Sequence, residues 1–281
     1  MTYKQKLQRI ILKNNSFVCI GLDSSLSKLP KFLLENRYPQ FTFNKAIIDA
    51  THDFVCAYKP NSAFYEVQGE YGILQLKMTF DYLREKYPKI PVILDVKRAD
   101  IGESNDRYDR FAFEYLGADA ITLHPYLGHE ALEPFLKRKD KGCYILCRTS
   151  NKGACEFQDL EIKGKPLYQV VAKQVAKVWD TNANCGLVVG ATYPGELKAV
   201  RKIAPNLELL IPGVGAQGGD LDKAVKYATD KAGGGFIISS SRGIIFAGND
   251  KDFAKKAKIE AEKLRDQINS VRVNLARKTT K

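Results

Sequence analysis

Residues 91–100 read PVILDVKRAD. Four apolar residues run into Asp95, and from there charge takes over: Lys97, Arg98, Asp100. A short, unbroken apolar run suits a strand buried on both faces, the condition of strands in a parallel sheet. Its polar finish marks the carboxyl end. Seven more runs share this form, at residues 17–23, 54–61, 120–125, 143–150, 185–192, 207–215 and 235–242. Helical patterns fill most of the gaps, as at 73–86, 106–116 and 166–179. Eight strands alternating with helices predict an α/β (β/α)8 TIM barrel. No linker rich in Gly, Ser or Pro divides the chain. The expectation is therefore one domain over 1–281, with the barrel at about 17–247 and a basic C-terminal helix or tail at 248–281.

Composition excludes several classes. The 281 residues are 44% hydrophobic and 27% charged, with no apolar run near the roughly 20 residues of a membrane span. The start MTYKQKLQRIILKNNSF reads as too polar for the apolar core of a secretory leader. Six cysteines lie mostly in apolar runs and form no CxxC pair, so they read as reduced thiols of a cytoplasmic protein. The net charge is +12, and residues 251–281 hold ten Lys/Arg against four Asp/Glu. A solvated helix face plus a frayed terminus explains that run without a nucleic-acid partner, because no aromatics interleave it for stacking.

Most of the strand runs end in polar or glycine residues, where barrel enzymes build their sites. Asp95 and Lys97, two apart, point to one face near the barrel mouth. Lys59 and Asn61 end the preceding strand in the same way. Two lysines and two carboxylates (Lys59, Asp95, Lys97, Asp100) would form an alternating charge network suited to general-acid or electrostatic chemistry. A structural ion pair explains the Asp95–Lys97 motif alone equally well. The run 212–220 (PGVGAQGGD) followed by an Arg at 242 is a phosphate-site signal, since barrels often bind phosphate between loops seven and eight. A tight glycine turn and a solvated arginine are the bland alternatives. His124 reads as a hydrogen-bonded rim residue, and 156–165 as a loop insertion.

LDVKRADIGES, preceded by YKPN and followed by CRTSN, PGVGAQGGD and SSSRGIIFA, resembles the orotidine 5′-monophosphate decarboxylase family, in its longer, type 2 branch. The resemblance runs from about Phe17 to Ala247 with the motifs in order. It implies decarboxylation of orotidine 5′-monophosphate to uridine 5′-monophosphate, the last step of de novo UMP synthesis, with no metal or organic cofactor. It implies Lys97 as proton donor to C6 and Asp95 against the substrate carboxylate. Lys59 would bridge ribose and the charges, with Asn61 beside it. Asp100 would reach the site of a second subunit in a homodimer. Asp23 would bind ribose hydroxyls, Thr149 and Ser150 the pyrimidine edge, and Pro212, Gln217, Arg242 and Gly243 the phosphate and base. Ile101 and Ser104 would contribute across the dimer, with Ser104 standing where the family has Thr. The basic helix is a candidate surface for a pathway partner such as orotate phosphoribosyltransferase; no nucleic acid or membrane is expected. The rival enzyme is a metal-dependent keto-sugar-phosphate decarboxylase or hexulose-phosphate synthase, whose relatives resemble one another in an acidic metal ligand where this chain has Lys59. A nucleic-acid-binding protein on an inactive barrel is the rival from another class.

Overall fold

A computed structural model describes residues 1–214 and 218–279. Each of the eight apolar runs contains a strand: β1 (Val18–Gly21), β2 (Ala57–Lys59), β3 (Ile93–Arg98), β4 (Ala120–Leu123), β5 (Gly142–Arg148), β6 (Cys185–Val189), β7 (Glu208–Pro212) and β8 (Phe236–Ser240). All pair in parallel, in the order β2-β1-β8-β7-β6-β5-β4-β3. Bridges Tyr58–Val92 and Asn61–Asp95 join β2 to β3 and bring the ends of the sheet together. This is the TIM barrel that the continuous apolar runs require, because each strand is covered on both faces.

The amino-terminal floor is closed by α1 (Tyr3–Asn14), which starts with a capping box between Thr2 and Gln5. It buries Tyr3, Leu7 and Ile10, and the Tyr3 hydroxyl meets that of Tyr144 at 2.7 Å. Three expected helices are longer or less regular than their patterns. The 73–86 pattern belongs to a helix over Gly69–Lys86. The stretches 106–116 and 166–179 each finish in a wider π turn, Phe111–Tyr115 and Val175–Trp179.

The expected C-terminal helix runs over Phe253–Thr279 and packs on the barrel, burying Phe253, Ala257, Ala261 and Ile268. Phe253 stacks on Phe43 of the helix Pro39–Thr51, ring centroids 5.1 Å apart. Such pairs add about 1 kcal/mol beyond area burial. Lys255, Lys258 and Lys263 lie on the outward face, whereas the Arg265 and Arg272 guanidinium groups lie over the Phe54 and Phe17 rings. One expectation needs correction: 156–165 is not a plain loop. A short helix, Cys155–Gln158, leads into an antiparallel pair, Glu161–Ile162 with Lys165–Pro166. Lys163 and Gly164 turn it, both with positive φ, the backbone of a two-residue hairpin turn. Strands of two residues carry no alternation, so the pattern could not announce them.

Candidate active site

A cavity of about 530 Å³ opens at the carboxyl ends of the strands. That is the size range of small-molecule sites. Of the expected site residues, Asp23, Lys59, Asn61, Asp95, Lys97, Thr149, Ser150, Pro212 and Arg242 line it. Asp100, Ile101, Ser104 and Gly243 do not line it. Gln217 lies outside the described residues. The four-member charge network expected from one chain is thus a three-member one, because Asp100 sits past the end of β3. There its Oδ1 accepts from the Ile101 amide at 2.8 Å.

At the bottom of the cavity Asp95 is held between two ammonium groups. Lys59 Nζ donates to Oδ2 and Lys97 Nζ to Oδ1, each at 2.6 Å. Burial would raise the Asp95 pKa, but Lys59 and then Lys97 outweigh it and hold the carboxyl well below the usual range. Burial likewise acts to lower the pKa of Lys59, yet Asp95 and Asp23 push it above the ordinary value for lysine. The two lysines differ in access. The Lys59 side chain is 8% exposed and that of Lys97 47%.

The alternation expected across Asp95-Val96-Lys97 is broken by an irregularity. The β3–β4 register shifts between Leu94 and Arg98, and Lys97 has φ 49°. A left-handed backbone at a non-glycine residue costs about 1–2 kcal/mol. The sequence pattern gave no sign of this, since residues 93–98 contain no glycine or proline to mark an irregularity. Thr122 of β4 meets the bulge: its Oγ1 accepts from the amides of Val96 and Lys97, both at 3.0 Å, and donates to Asp95 Oδ1 at 2.9 Å. Thr122 was not among the expected residues. Its place two before His124, on the same strand face, was the available signal. His124 itself is a rim residue, with Nε2 3.1 Å from the Ala99 carbonyl.

Around this charged bottom, Leu146, Val188 and Leu210 give an apolar wall. Asp23 has one carboxylate oxygen buried with no partner among the described residues, an acceptor left for a ligand. On the β5 side, Gln158 from the insertion receives the Thr149 amide at 2.8 Å and donates to its hydroxyl at 2.8 Å. Arg148, 2% exposed, pairs with Asp159 at 3.1 Å and lies over the Tyr193 ring. Gly190 lets β6 close on this corner, since a Cβ there would fall 2.9 Å from that of Ser150. Gln158 is an additional lining residue that no motif announced, and Asn151, which closes the CRTSN motif, lines the cavity although it was not among the expected site residues.

Opposite, β7 leads into the glycine loop, whose base is closed by a Val214–Gly219 bridge. A Cβ on Gly219 would lie 2.6 Å from the Gly213 carbonyl oxygen, so only glycine fits. Arg242 stands beside this base, exposed and without an ion pair to any described residue. Among the described residues no three His, Cys, Asp or Glu side chains gather as a metal-ligand group, and no helix is long and apolar enough to cross a membrane. Of the six cysteines only Cys155 is exposed.

Residues 16–257 match the model of the Orotidine 5′-phosphate decarboxylase / HUMPS family. The chain is similar to an orotidine 5′-phosphate decarboxylase of Cellvibrio japonicus, 47% identical over 97% of this chain and all of that protein. Among solved structures it is similar to Leishmania donovani OMP decarboxylase, with TM-score 0.83 and 36% identity over 97% of this chain and 99% of the other. It is also similar to Leishmania donovani UMP synthase, with TM-score 0.86 and 37% identity over 97% of this chain, which spans 57% of that one.

Proposed function

The chain belongs to the orotidine 5′-phosphate decarboxylase / HUMPS family and acts as an orotidine 5′-phosphate decarboxylase; we propose that it does so without metal or organic cofactor, with Lys97 as the proton donor. The observation that carries this reading is the Lys59–Asp95–Lys97 bridge at the bottom of the cavity. When the bond from C6 to the carboxylate breaks, CO2 leaves and the electron pair stays on C6. A fixed ammonium beside that carbon stabilises the charge with no solvent reorganisation. Transfer of a proton from Lys97 Nζ to C6 gives uridine 5′-monophosphate, and water then reprotonates the amine.

The two lysines divide the work according to access and charge. Lys59 is buried and holds its proton more tightly than an ordinary lysine, so it suits a fixed charge between Asp95 and the ribose. Lys97, open to the cavity, can both release and recover a proton. Asp95 orients both amines, and its repulsion of the substrate carboxylate adds less than the stabilisation Lys97 supplies. Asp23 takes the ribose hydroxyls with its unpartnered oxygen, Thr149 and Ser150 take the pyrimidine edge, and Arg242 grips the phosphate with Gly243 and the glycine loop. Gripping phosphate far from the reacting bond supplies energy for orientation. A lysine at position 59, where the metal-dependent relatives have an acidic ligand, favours this reaction over theirs. The active unit is a homodimer in which Asp100, Ile101 and Ser104 act across the interface. The outward lysines of the last helix, Lys255, Lys258 and Lys263, are the face open to a pathway partner such as orotate phosphoribosyltransferase.

The test follows orotidine 5′-monophosphate absorbance with purified protein, with and without a chelator, beside Lys97→Ala. Full activity in chelator and loss of turnover by several orders of magnitude in the variant, with UMP affinity retained, are expected. Activity abolished by chelator, or a near-normal Lys97→Ala, would overturn the reading.

A further inference from the structure

We propose that Thr122 is a positioning residue for the decarboxylation: its single hydroxyl fixes both the bulged backbone that carries Lys97 and the carboxylate that orients the two lysines. A hydroxyl has two acceptor lone pairs and one proton. At Thr122 all three are in use, for the amides of Val96 and Lys97 occupy the lone pairs and Asp95 Oδ1 takes the proton. With both lone pairs engaged, the proton has one direction to point, toward Asp95.

The bulge makes this contact necessary. The register shift between Leu94 and Arg98 takes β3 out of the β4 ladder, so the amides of residues 96 and 97 need acceptors other than a strand carbonyl. Thr122, 2% exposed, supplies one oxygen for both. The same oxygen ties that backbone to Asp95 Oδ1, which also receives Lys97 Nζ. Main chain and carboxylate of one catalytic segment thus converge on one atom of the neighbouring strand, and the ammonium is tied to it through the carboxylate. With its hydroxyl saturated by protein groups, Thr122 acts on the reaction through Asp95 and Lys97. Its loss should therefore fall on turnover rather than on nucleotide binding, which rests on residues elsewhere around the mouth.

The inference rests on the catalytic assignment of Lys97 and Asp95, and the experiment separates the two. Steady-state kinetics and UMP affinity are measured for Thr122→Val, Thr122→Ser, Thr122→Cys and Lys97→Ala. Thr122→Val should lower kcat by about 30-fold or more, with KM and UMP affinity within about threefold of the parent. Thr122→Ser, which keeps the oxygen, should stay within about threefold in kcat, and Thr122→Cys should fall between. If Thr122→Val does not fold, the Ser and Cys variants carry the same comparison. A Val variant (or, in its place, a Cys variant) with parental kcat, or Ser as impaired as the others, overturns the role of the hydroxyl. A near-parental Lys97→Ala instead overturns the catalytic assignment beneath it.

Discussion

Glu208 opens β7 at the barrel floor, remote from the cavity, and its carboxyl lies deep with one oxygen unpartnered among the described residues. Burial pushes its pKa up to about 7 from an ordinary 4.5, with Arg201 opposing the shift and Asp230 adding to it. The raised value fixes the sign of the effect. The folded protein prefers the neutral acid, so stability from this group is fully present below about pH 4.5 and is lost as pH rises through 7. Over that window the loss is on the order of 2–3 kcal/mol. Glu208→Gln keeps the shape and removes the titration. Denaturant unfolding at pH 5 and pH 8 should show the parent losing that much more stability than the variant; equal losses would show that the carboxyl does not titrate in this window. Arg242 poses the opposite case, an exposed cation whose value appears only with ligand. Arg242→Ala should weaken orotidine 5′-monophosphate binding by about 2–3 kcal/mol, the scale of charge-assisted hydrogen bonds, and raise KM in proportion. Arg242→Lys should recover little, because an ammonium cannot make a forked contact. An unchanged KM in Arg242→Ala would remove the phosphate assignment.

At the scale of elements, legibility follows how locally a feature is encoded. The strands were readable because burial on both faces forces unbroken apolar runs, and their polar ends placed Asp23, Lys59, Asp95 and Lys97 on one cavity. The bulge at Lys97 was not readable. Its amides find their acceptor on another strand, at the Thr122 hydroxyl, and no glycine or proline between residues 93 and 98 marks it. The insertion was likewise opaque in detail. Gln158 matters because it reaches back to Thr149, and Arg148 because Asp159 neutralises it in a buried place. Both are tertiary pairings between a strand end and a segment without periodicity. The last helix was legible as a helix, but its attachment to the barrel depends on Phe253 meeting Phe43, far away in sequence.

At the scale of the molecule, the position of Asp100 is the decisive feature. It follows the catalytic strand yet leaves the cavity of its own chain, and the rim beside it is unusually apolar. Ile101 is 63% exposed after β3, and Tyr126 86% exposed after the neighbouring β4. Such a rim suits coverage by a second copy, as the proposed homodimer with Asp100 acting across its interface requires. Complementation between two defective chains tests this directly. In a Lys97→Ala homodimer both sites lack the proton donor, and in an Asp100→Asn homodimer both lack the shared carboxylate. In the mixed dimer, one site carries both defects and the other carries none, because its lysine comes from one chain and its aspartate from the other. Random reassortment gives half mixed dimers with one intact site of two, so activity should recover to about a quarter of the parental value. Activity that stays at the level of the parent variants, in dimers shown to be mixed, would mean that Asp100 serves its own chain alone.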